Sequence, residues 1–275
     1  MARRLLRHLD NARRRLRDFG PAYVVLAPIR RAAQIIDARI EQRQLTIEGR
    51  RGVLGEAHRA WRDHAPQVNK ERWGGWDWSR HGEEWTISAD WKQALIADVL
   101  LPTIPEGGTV LEIGPGAGRW SEVLSLRADK LIAVDLDERI LEHCRDHLGA
   151  PDNVEFMLTT GSALPDVQDH SVDAIWSFDV FVHIAPIDQD TYMAEFARVL
   201  KPGGIAAIHH ADGRDRGALT SRRGWRAPMT TTLFAAIAEQ HGLTAEKVIT
   251  TWGPNAEHDL GAYRDAISVL RQPAR

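Results

Sequence analysis

Residues 109–118 read Thr-Val-Leu-Glu-Ile-Gly-Pro-Gly-Ala-Gly, and this stretch decides the fold. Its first five residues are typical of a buried strand, and the glycines after them predict a tight turn that leads into a helix near Arg119. Glycine lets a backbone approach a ligand closely, and a helix N-terminus offers free N–H groups. The next apolar strand, residues 130–134, runs into Asp135, where an acid can accept both hydroxyls of a ribose. The segment therefore predicts a site for an adenosine-containing cofactor.

The spacing of the glycines separates the candidate cofactors. A dinucleotide site is expected to read Gly-x-Gly-x-x-Gly, but Arg119 stands where its third glycine would be. Glu112 lies two residues before the first glycine, where a carboxylate would face a pyrophosphate unfavourably. It suits a ligand with a cationic amino group and no phosphate. The residues thus favour S-adenosylmethionine over a nicotinamide dinucleotide.

Residues 110–118 resemble the first motif of class I S-adenosylmethionine-dependent methyltransferases, and Asp135 resembles their ribose-binding acid. Further segments at 161–165, 171–177 and 200–204 resemble later motifs of the family, in the same order and at the same spacing. Together these motifs cover about residues 92–210.

The resemblance implies S-adenosylmethionine as the cofactor and S-adenosylhomocysteine as the product. It places the glycine turn against the methionine part, Asp135 against the ribose, and Leu136 and the segment after Gly161 against the adenine. The expected cofactor contacts are Glu112, Gly114, Pro115, Gly116, Gly118, Trp120, Asp135, Leu136, Gly161, Ser162, Ala163, Ser177 and Phe178.

The alternation of strand and helix patterns predicts an α/β fold built on a doubly wound, seven-stranded, mostly parallel sheet. The expected strands are residues 109–113, 130–134, 154–158, 171–177, 204–210, 245–251 and 263–271. The expected helices are residues 88–101, 118–127, 137–148, 189–199 and 229–241. The last two strands leave no room for a long helix between them, so we expect the final strand to be antiparallel.

Residues 1–75 are interpreted as a helical, Arg-rich N-terminal extension, and residues 76–275 as the catalytic domain. Residues 1–62 contain fifteen Arg and six Asp or Glu, although the whole chain carries a net charge of −3. An amphipathic stretch follows Pro28, and its apolar residues are Ile29, Ala33, Ile36 and Ile40. We expect these helices to join chains into a homo-oligomer such as a dimer, with contact to an anionic membrane surface as an alternative.

The bulk composition is that of an ordinary globular protein. The chain has 275 residues, of which 43% are hydrophobic and 27% charged, and no apolar run reaches the roughly 18 residues of a membrane span. Cys144 is the single cysteine, and the start of the chain lacks the pattern of a signal peptide. These features predict a reduced, cytoplasmic setting. Ten Trp are present, and the five between Trp73 and Trp91 suggest a hydrophobic lid or a stacking surface.

Candidate catalytic residues follow the fourth and fifth strands, since ligands bind beyond the carboxyl ends of strands in open α/β sheets. Asp179 and His183 are four residues apart, so a helical turn would place them on one side. His183 is the candidate general base, and His210 at the end of the fifth strand is a second candidate. His209 and His210 should point to opposite sides of the sheet. A divalent metal among these residues and Asp212 is conceivable but is not predicted.

The acceptor is expected to be a hydroxyl on a sugar, glycan or other small molecule such as a secondary metabolite. The long loop 212–230 supplies candidate substrate-binding residues in Arg214, Arg223 and Trp225. Nucleic acid is disfavoured because the motif of base-flipping amino-methylases is missing after the fourth strand and Cys144 lies on the wrong edge. Two alternatives stay open: methylation of RNA or protein through the basic arm, and a non-catalytic protein that binds S-adenosylmethionine.

Overall fold

The computed structural model describes residues 26, 28–37, 39–61, 65–213, 226–261 and 265–274. The chain divides into two compact units, Met1–Thr46 and Ile47–Arg275. In the first unit the described residues are helical and expose Leu26, Ile29, Ile36 and Ile40. The first helix of the predicted extension lies outside the described residues. The predicted boundary between residues 75 and 76 stays a prediction.

A seven-stranded sheet forms the centre of the second unit. The strands are β1 (Thr109–Ile113), β2 (Lys130–Asp135), β3 (Val154–Leu158), β4 (Val172–Ser177), β5 (Leu200–His210), β6 (Thr244–Ile249) and β9 (Ala266–Arg271). A separate short hairpin pairs β7 (Thr251–Trp252) with β8 (His258–Asp259).

The strand order is β3-β2-β1-β4-β5-β9-β6. All neighbours are parallel except that β9 runs antiparallel between β5 and β6. The doubly wound sheet with an antiparallel final strand is therefore confirmed. Residues 262–264, at the start of the predicted last strand, lie outside the described residues.

Helices connect and cover the strands. Those of the second unit include Glu56–Ala60, Pro66–Gly74, Ala89–Leu95, Ser121–Arg127, Glu138–Leu148, Pro186–Val199 and Thr231–Gln240. The helix that starts at Ala89 is capped by the Ser88 hydroxyl, which accepts from the backbone N–H of Trp91, and continues through a π-helical turn, Ile96–Leu100.

Two apolar clusters cover the two faces of the sheet. Ile175 belongs to one cluster, while its neighbours Ala174 and Trp176 belong to the other. Successive side chains of a strand point to opposite faces, so a strand buried on both sides must be apolar at nearly every position. This sandwich holds the carboxyl ends of β1, β2 and β4 in fixed relative positions. Among the described residues, no helix is long and apolar enough to cross a bilayer.

Candidate functional site

A cavity lies at the carboxyl ends of β1, β2 and β4, where an open α/β sheet is expected to bind its ligand. Its wall combines residues from the glycine turn, the ends of the strands and the Trp-rich segment. The lining residues are Pro66, Asn69, Trp73, Trp78, Trp85, Ile113, Gly114, Val134, Asp135, Leu136, Ile140, Thr159, Gly161, Asp179, Val180, His183, Ile184, Tyr192 and Arg226.

The glycine turn has a left-handed backbone at three positions, with φ of +70° at Gly114, +56° at Gly116 and +103° at Gly118. Gly114 lines the cavity. A Cβ there would lie 2.4 Å from Cγ2 of Val180, and one at Gly116 would lie 2.9 Å from the ring of Trp78. The sequence pattern therefore reflects both the backbone conformation and close packing. Gly116, Gly118 and Pro115 do not belong to the cavity wall, and Gly118 packs against the His147 side chain.

Glu112 is buried below the turn at the end of β1. Its carboxylate accepts a hydrogen bond from the Ser121 hydroxyl at 2.6 Å. Burial raises the pKa of Glu112 to about 7, although the nearby Arg119 opposes the shift. Glu112 does not line the cavity itself, so any influence on a ligand would pass through the glycine turn or through water.

We expect Glu112→Gln to change how the free energy of unfolding depends on pH. The folded-state pKa of Glu112 is raised, so its contribution to stability is present below about pH 4.5 and is lost as the pH rises through about 7. Relative to wild type, the variant should gain about 3 kcal/mol between these limits. Urea unfolding at a series of pH values measures this difference. Glu142→Gln, on an exposed face of the helix Glu138–Leu148, is the matched control, and parallel profiles for wild type and Glu112→Gln would contradict the prediction.

Asp135 ends β2 and lines the cavity beside Leu136. Its Oδ1 accepts from the backbone N–H groups of Leu136 at 2.7 Å and Asp137 at 3.3 Å, which fixes the orientation of the carboxylate. Burial raises the pKa of Asp135 to about 7. The carboxylate is thus held rigidly at the place where the sequence predicts a ribose.

Gly161 lines the cavity, whereas Ser162 and Ala163 do not. The Thr159 hydroxyl donates to the backbone carbonyl of Ala163 at 2.6 Å and accepts from the backbone N–H of Gly161 at 3.2 Å. This tight turn brings the backbone of Gly161 to the wall of the cavity, together with Thr159 itself. The proposed contacts of Ser162 and Ala163 stay predictions.

Three predicted cofactor contacts lie within the protein core. Trp120 and Phe178 pack together with ring centroids 5.0 Å apart, in the apolar cluster that also contains Trp176. The Ser177 hydroxyl is buried and donates to the backbone carbonyl of Ile113 at 2.9 Å. None of the three lines the cavity. The structure gives these three side chains supporting positions in the core.

Asp179 belongs to a buried network of charged side chains. Its carboxylate pairs with Arg119 at 2.6 Å, and its Oδ1 lies 3.2 Å from Nδ1 of His209. Burial would raise the pKa of Asp179, but Arg119 and His209 outweigh it and hold that pKa well below its usual range. Asp179 also adopts a left-handed backbone, with φ of +62°. Such strain at a non-glycine residue persists only where the surroundings enforce it.

The network continues from His209 to Arg226. Nε2 of His209 lies 3.4 Å from Oδ2 of Asp265, which also pairs with Nε of Arg226 at 2.8 Å. Burial would lower the pKa of His209, but the two carboxylates outweigh it and leave that pKa raised. The chain of groups thus links the glycine turn to Arg226, which lines the cavity. His209 was not among the predicted catalytic residues, although strand alternation predicts that His209 and His210 point to opposite sides of the sheet.

His183 lines the cavity, as expected of a candidate base. Its ring packs against Trp73 with centroids 4.8 Å apart. Its backbone carbonyl accepts from the Asn69 amide at 2.5 Å, and its backbone N–H donates to the carbonyl of Val180 at 2.8 Å. The helix Pro66–Gly74, which the sequence placed in the N-terminal extension, therefore helps to position His183.

His210 requires a correction, because it lies in the core and not in the cavity wall. Its Nδ1 is 2.8 Å from the carbonyl oxygen of Ala211, its Nε2 is 2.7 Å from the Ser268 hydroxyl, and its ring stacks on Phe234 at 3.8 Å. Burial lowers the pKa of His210 to about 4. Both ring nitrogens are engaged, so this residue is not placed to act as a base.

Among the described residues, three Trp line the cavity: Trp73, Trp78 and Trp85. The high Trp content of residues 73–91 was the sequence signal for these rings. It did not predict that three of them would enter the site. The predicted substrate-binding residues Arg214, Arg223 and Trp225 lie outside the described residues.

Residues 111–208 match a protein family described as a methyltransferase domain. This match and the sheet topology place residues 111–208 in the class I S-adenosylmethionine-dependent methyltransferase superfamily. A curated relative, methyltransferase GfsG of Streptomyces halstedii, is 35% identical over 120 residues, which are 42% of this chain and 41% of the relative. Dimethylglycine N-methyltransferase of Parasynechococcus marenigrum is 30% identical over 173 residues, which are 56% of this chain and 58% of that protein. The chain thus spans less than two thirds of either methyltransferase.

The fold of this methyltransferase domain is also found among solved structures. An S-adenosylmethionine-dependent methyltransferase from Mesorhizobium loti superposes with a TM-score of 0.54 and 17% sequence identity, over 68% of this chain and 99% of that protein. At this level of identity the likeness concerns the fold.

The cavity of the methyltransferase domain fits the cofactor that the family implies, S-adenosylmethionine. Gly114 leaves the floor of the cavity without a side chain, and Asp135 presents a fixed carboxylate in its wall. Within the described ranges, no three His, Cys, Asp or Glu side chains gather in a way that could hold a metal ion. Asp212, considered as a ligand, accepts from the backbone N–H of Thr231 at 3.1 Å.

Proposed function

We propose that this protein transfers a methyl group from S-adenosylmethionine to a hydroxyl of a small-molecule or glycan acceptor, with His183 as the general base. The observation that carries the proposal is that His183 lines the same cavity as Gly114 and Asp135. A base for the acceptor and a carboxylate for the ribose thus share one continuous space.

At the cofactor end of the cavity, Asp135 would bind the ribose hydroxyls, and Leu136 and Ile140 would lie beside the adenine. The backbone of Gly114 and Gly161 would contact the cofactor at positions where a side chain would block its binding. When bound, S-adenosylmethionine supplies a methyl group that is already activated, so the protein's task is to position the acceptor and to manage its proton. Ile113 and Val180 line the same wall and would keep water from the cofactor.

At the acceptor end, the position of His183 suits proton transfer. The tilted packing against Trp73 and the hydrogen bond from Asn69 limit how far the residue can move. A hydroxyl is a weak nucleophile, so an imidazole that accepts its proton as the new bond forms would lower the barrier. The half-buried setting of Trp73 and Trp85 would suit the apolar face of a sugar or another ring.

Incubating the full chain with S-adenosylmethionine and panels of hydroxyl and amine acceptors tests this proposal. We expect S-adenosylhomocysteine and a methylated hydroxyl compound, both detected by mass spectrometry. An N-methylated product alone would keep methyl transfer and overturn the hydroxyl acceptor, a contrast suggested by the dimethylglycine N-methyltransferase relative. Calorimetric binding of NAD in preference to S-adenosylmethionine would overturn the proposed cofactor.

A further inference from the structure

Four tryptophans, Trp73, Trp76, Trp78 and Trp85, form a compact group that we term the tryptophan cluster. Trp85 lies at its centre, with ring centroids 5.9 Å from Trp73, 5.3 Å from Trp76 and 5.7 Å from Trp78. The rings of Trp73 and Trp85 are nearly perpendicular, at 86°. The indole N–H of Trp78 donates to the backbone carbonyl of Trp73 at 3.1 Å, which fixes one ring relative to the next.

The tryptophan cluster stands between the two functional ends of the cavity. Trp78 packs over Gly116 of the glycine turn, and Trp73 packs against His183. Trp73, Trp78 and Trp85 line the cavity, but Trp76 does not. The indole N–H of Trp76 instead donates to the Glu84 carboxylate at 2.7 Å. The cluster therefore contains three rings at the site and one comparable ring outside it.

The charges in the cavity wall leave a specific role for these rings. Asp179 is neutralised by Arg119 and His209, and Asp135 stands at the ribose position. The sulfonium of S-adenosylmethionine is a positive charge that has to lie between the glycine turn and the acceptor. Aromatic faces attract cations through their quadrupole, most strongly for Trp and in desolvated settings.

We propose that Trp73, Trp78 and Trp85 form an aromatic site for the cofactor's sulfonium. This inference rests on the proposed binding of S-adenosylmethionine. Since methyl transfer converts the sulfonium into a neutral thioether, the same rings attract the product less than the substrate. These three rings would then select the methyl donor over S-adenosylhomocysteine, which is a property separate from the identity of the acceptor.

The test compares the calorimetric affinities of S-adenosylmethionine and S-adenosylhomocysteine in the full chain. In Trp78→Leu we expect the preference for S-adenosylmethionine over S-adenosylhomocysteine to fall about tenfold relative to wild type. Trp76→Leu removes an equally large ring from the same cluster outside the cavity, so it should leave that preference within about twofold of wild type. Equal losses of both affinities in Trp78→Leu would show an apolar wall only and overturn the inference.

A second measurement applies if Trp78→Leu does not fold. Replacing all Trp by 5-fluorotryptophan makes the rings poorer in electrons with little change in size. We expect a severalfold weaker affinity for S-adenosylmethionine and an unchanged affinity for S-adenosylhomocysteine. Unchanged affinities for both ligands would overturn the inference. If the wild-type chain bound neither ligand, the proposed function itself would fail. This outcome is therefore distinct from failure of the aromatic sulfonium site alone.

Discussion

Gly114→Ala should reduce the affinity for S-adenosylhomocysteine about a hundredfold, because relieving an overpacked contact typically costs about 1–3 kcal/mol and each 1.4 kcal/mol is tenfold in affinity. The added Cβ would lie 2.4 Å from Cγ2 and 2.9 Å from Cγ1 of Val180, well inside van der Waals contact. The backbone at Gly114 also has φ of +70°, which alanine adopts only with strain. The turn must therefore move, and with it the floor of the cavity. Isothermal calorimetry on the full chain measures the effect.

Gly149→Ala is the matched control for this substitution. Gly149 ends the helix Glu138–Leu148 with the same φ of +70°, but an added Cβ there would meet nothing within 4 Å. This variant should lose about 1–2 kcal/mol of stability from backbone strain while its cofactor affinity stays near that of wild type. If Gly114→Ala bound S-adenosylhomocysteine as tightly as Gly149→Ala, contact with Val180 would not be the constraint at the turn.

His183→Ala should lower kcat by about a hundredfold to ten-thousandfold with the acceptor found in the turnover screen, because proton transfer by a positioned base contributes that much. His183 stands in the cavity wall, and the expected cofactor contacts Gly114 and Asp135 lie on other elements of that wall. Affinity for S-adenosylhomocysteine should therefore stay within about threefold of wild type, which corresponds to a change well under 1 kcal/mol. Single-turnover kinetics and calorimetry together give both values.

Two comparisons sharpen the test of His183. His143→Ala changes an exposed histidine on the helix Glu138–Leu148 and should leave kcat unchanged. Added imidazole should restore part of the activity of His183→Ala if the lost group is a base, but not if the loss is one of packing against Trp73. Full activity in His183→Ala would reject the role of this residue as base and would favour an acceptor that needs no proton removed.

The fold could be predicted because its signals are local. The glycines after β1, the acid after β2 and the alternation of strand and helix patterns are each contained within a few residues. They led to the correct sheet with an antiparallel β9. Asp135, Gly114, Gly161 and His183 were selected by the same kind of local reasoning, and all four line the cavity.

The histidines at the end of β5 show where local reasoning stopped. Strand alternation correctly sent His209 and His210 to opposite faces, but a period of two cannot tell which face carries the charged partners. That choice depends on Asp265, which is 56 positions along the chain from His209, and on Phe234, against which His210 stacks. The sequence predicts a catalytic role for His210, whereas the structure places His209 in the network of Asp179.

By itself, the sequence determined the α/β class, the seven strands of a mostly parallel sheet with an antiparallel final strand, and the end of the sheet where a methyl donor is expected to bind. These follow from backbone conformation and from hydrophobic periodicity, which act between near neighbours. Only the tertiary structure decided that Trp73, Trp78 and Trp85 enter the cavity and that Asn69 holds His183, 114 positions away. Such contacts depend on how separate elements pack together, and many pairings of Trp, His and Arg side chains are compatible with the same local pattern.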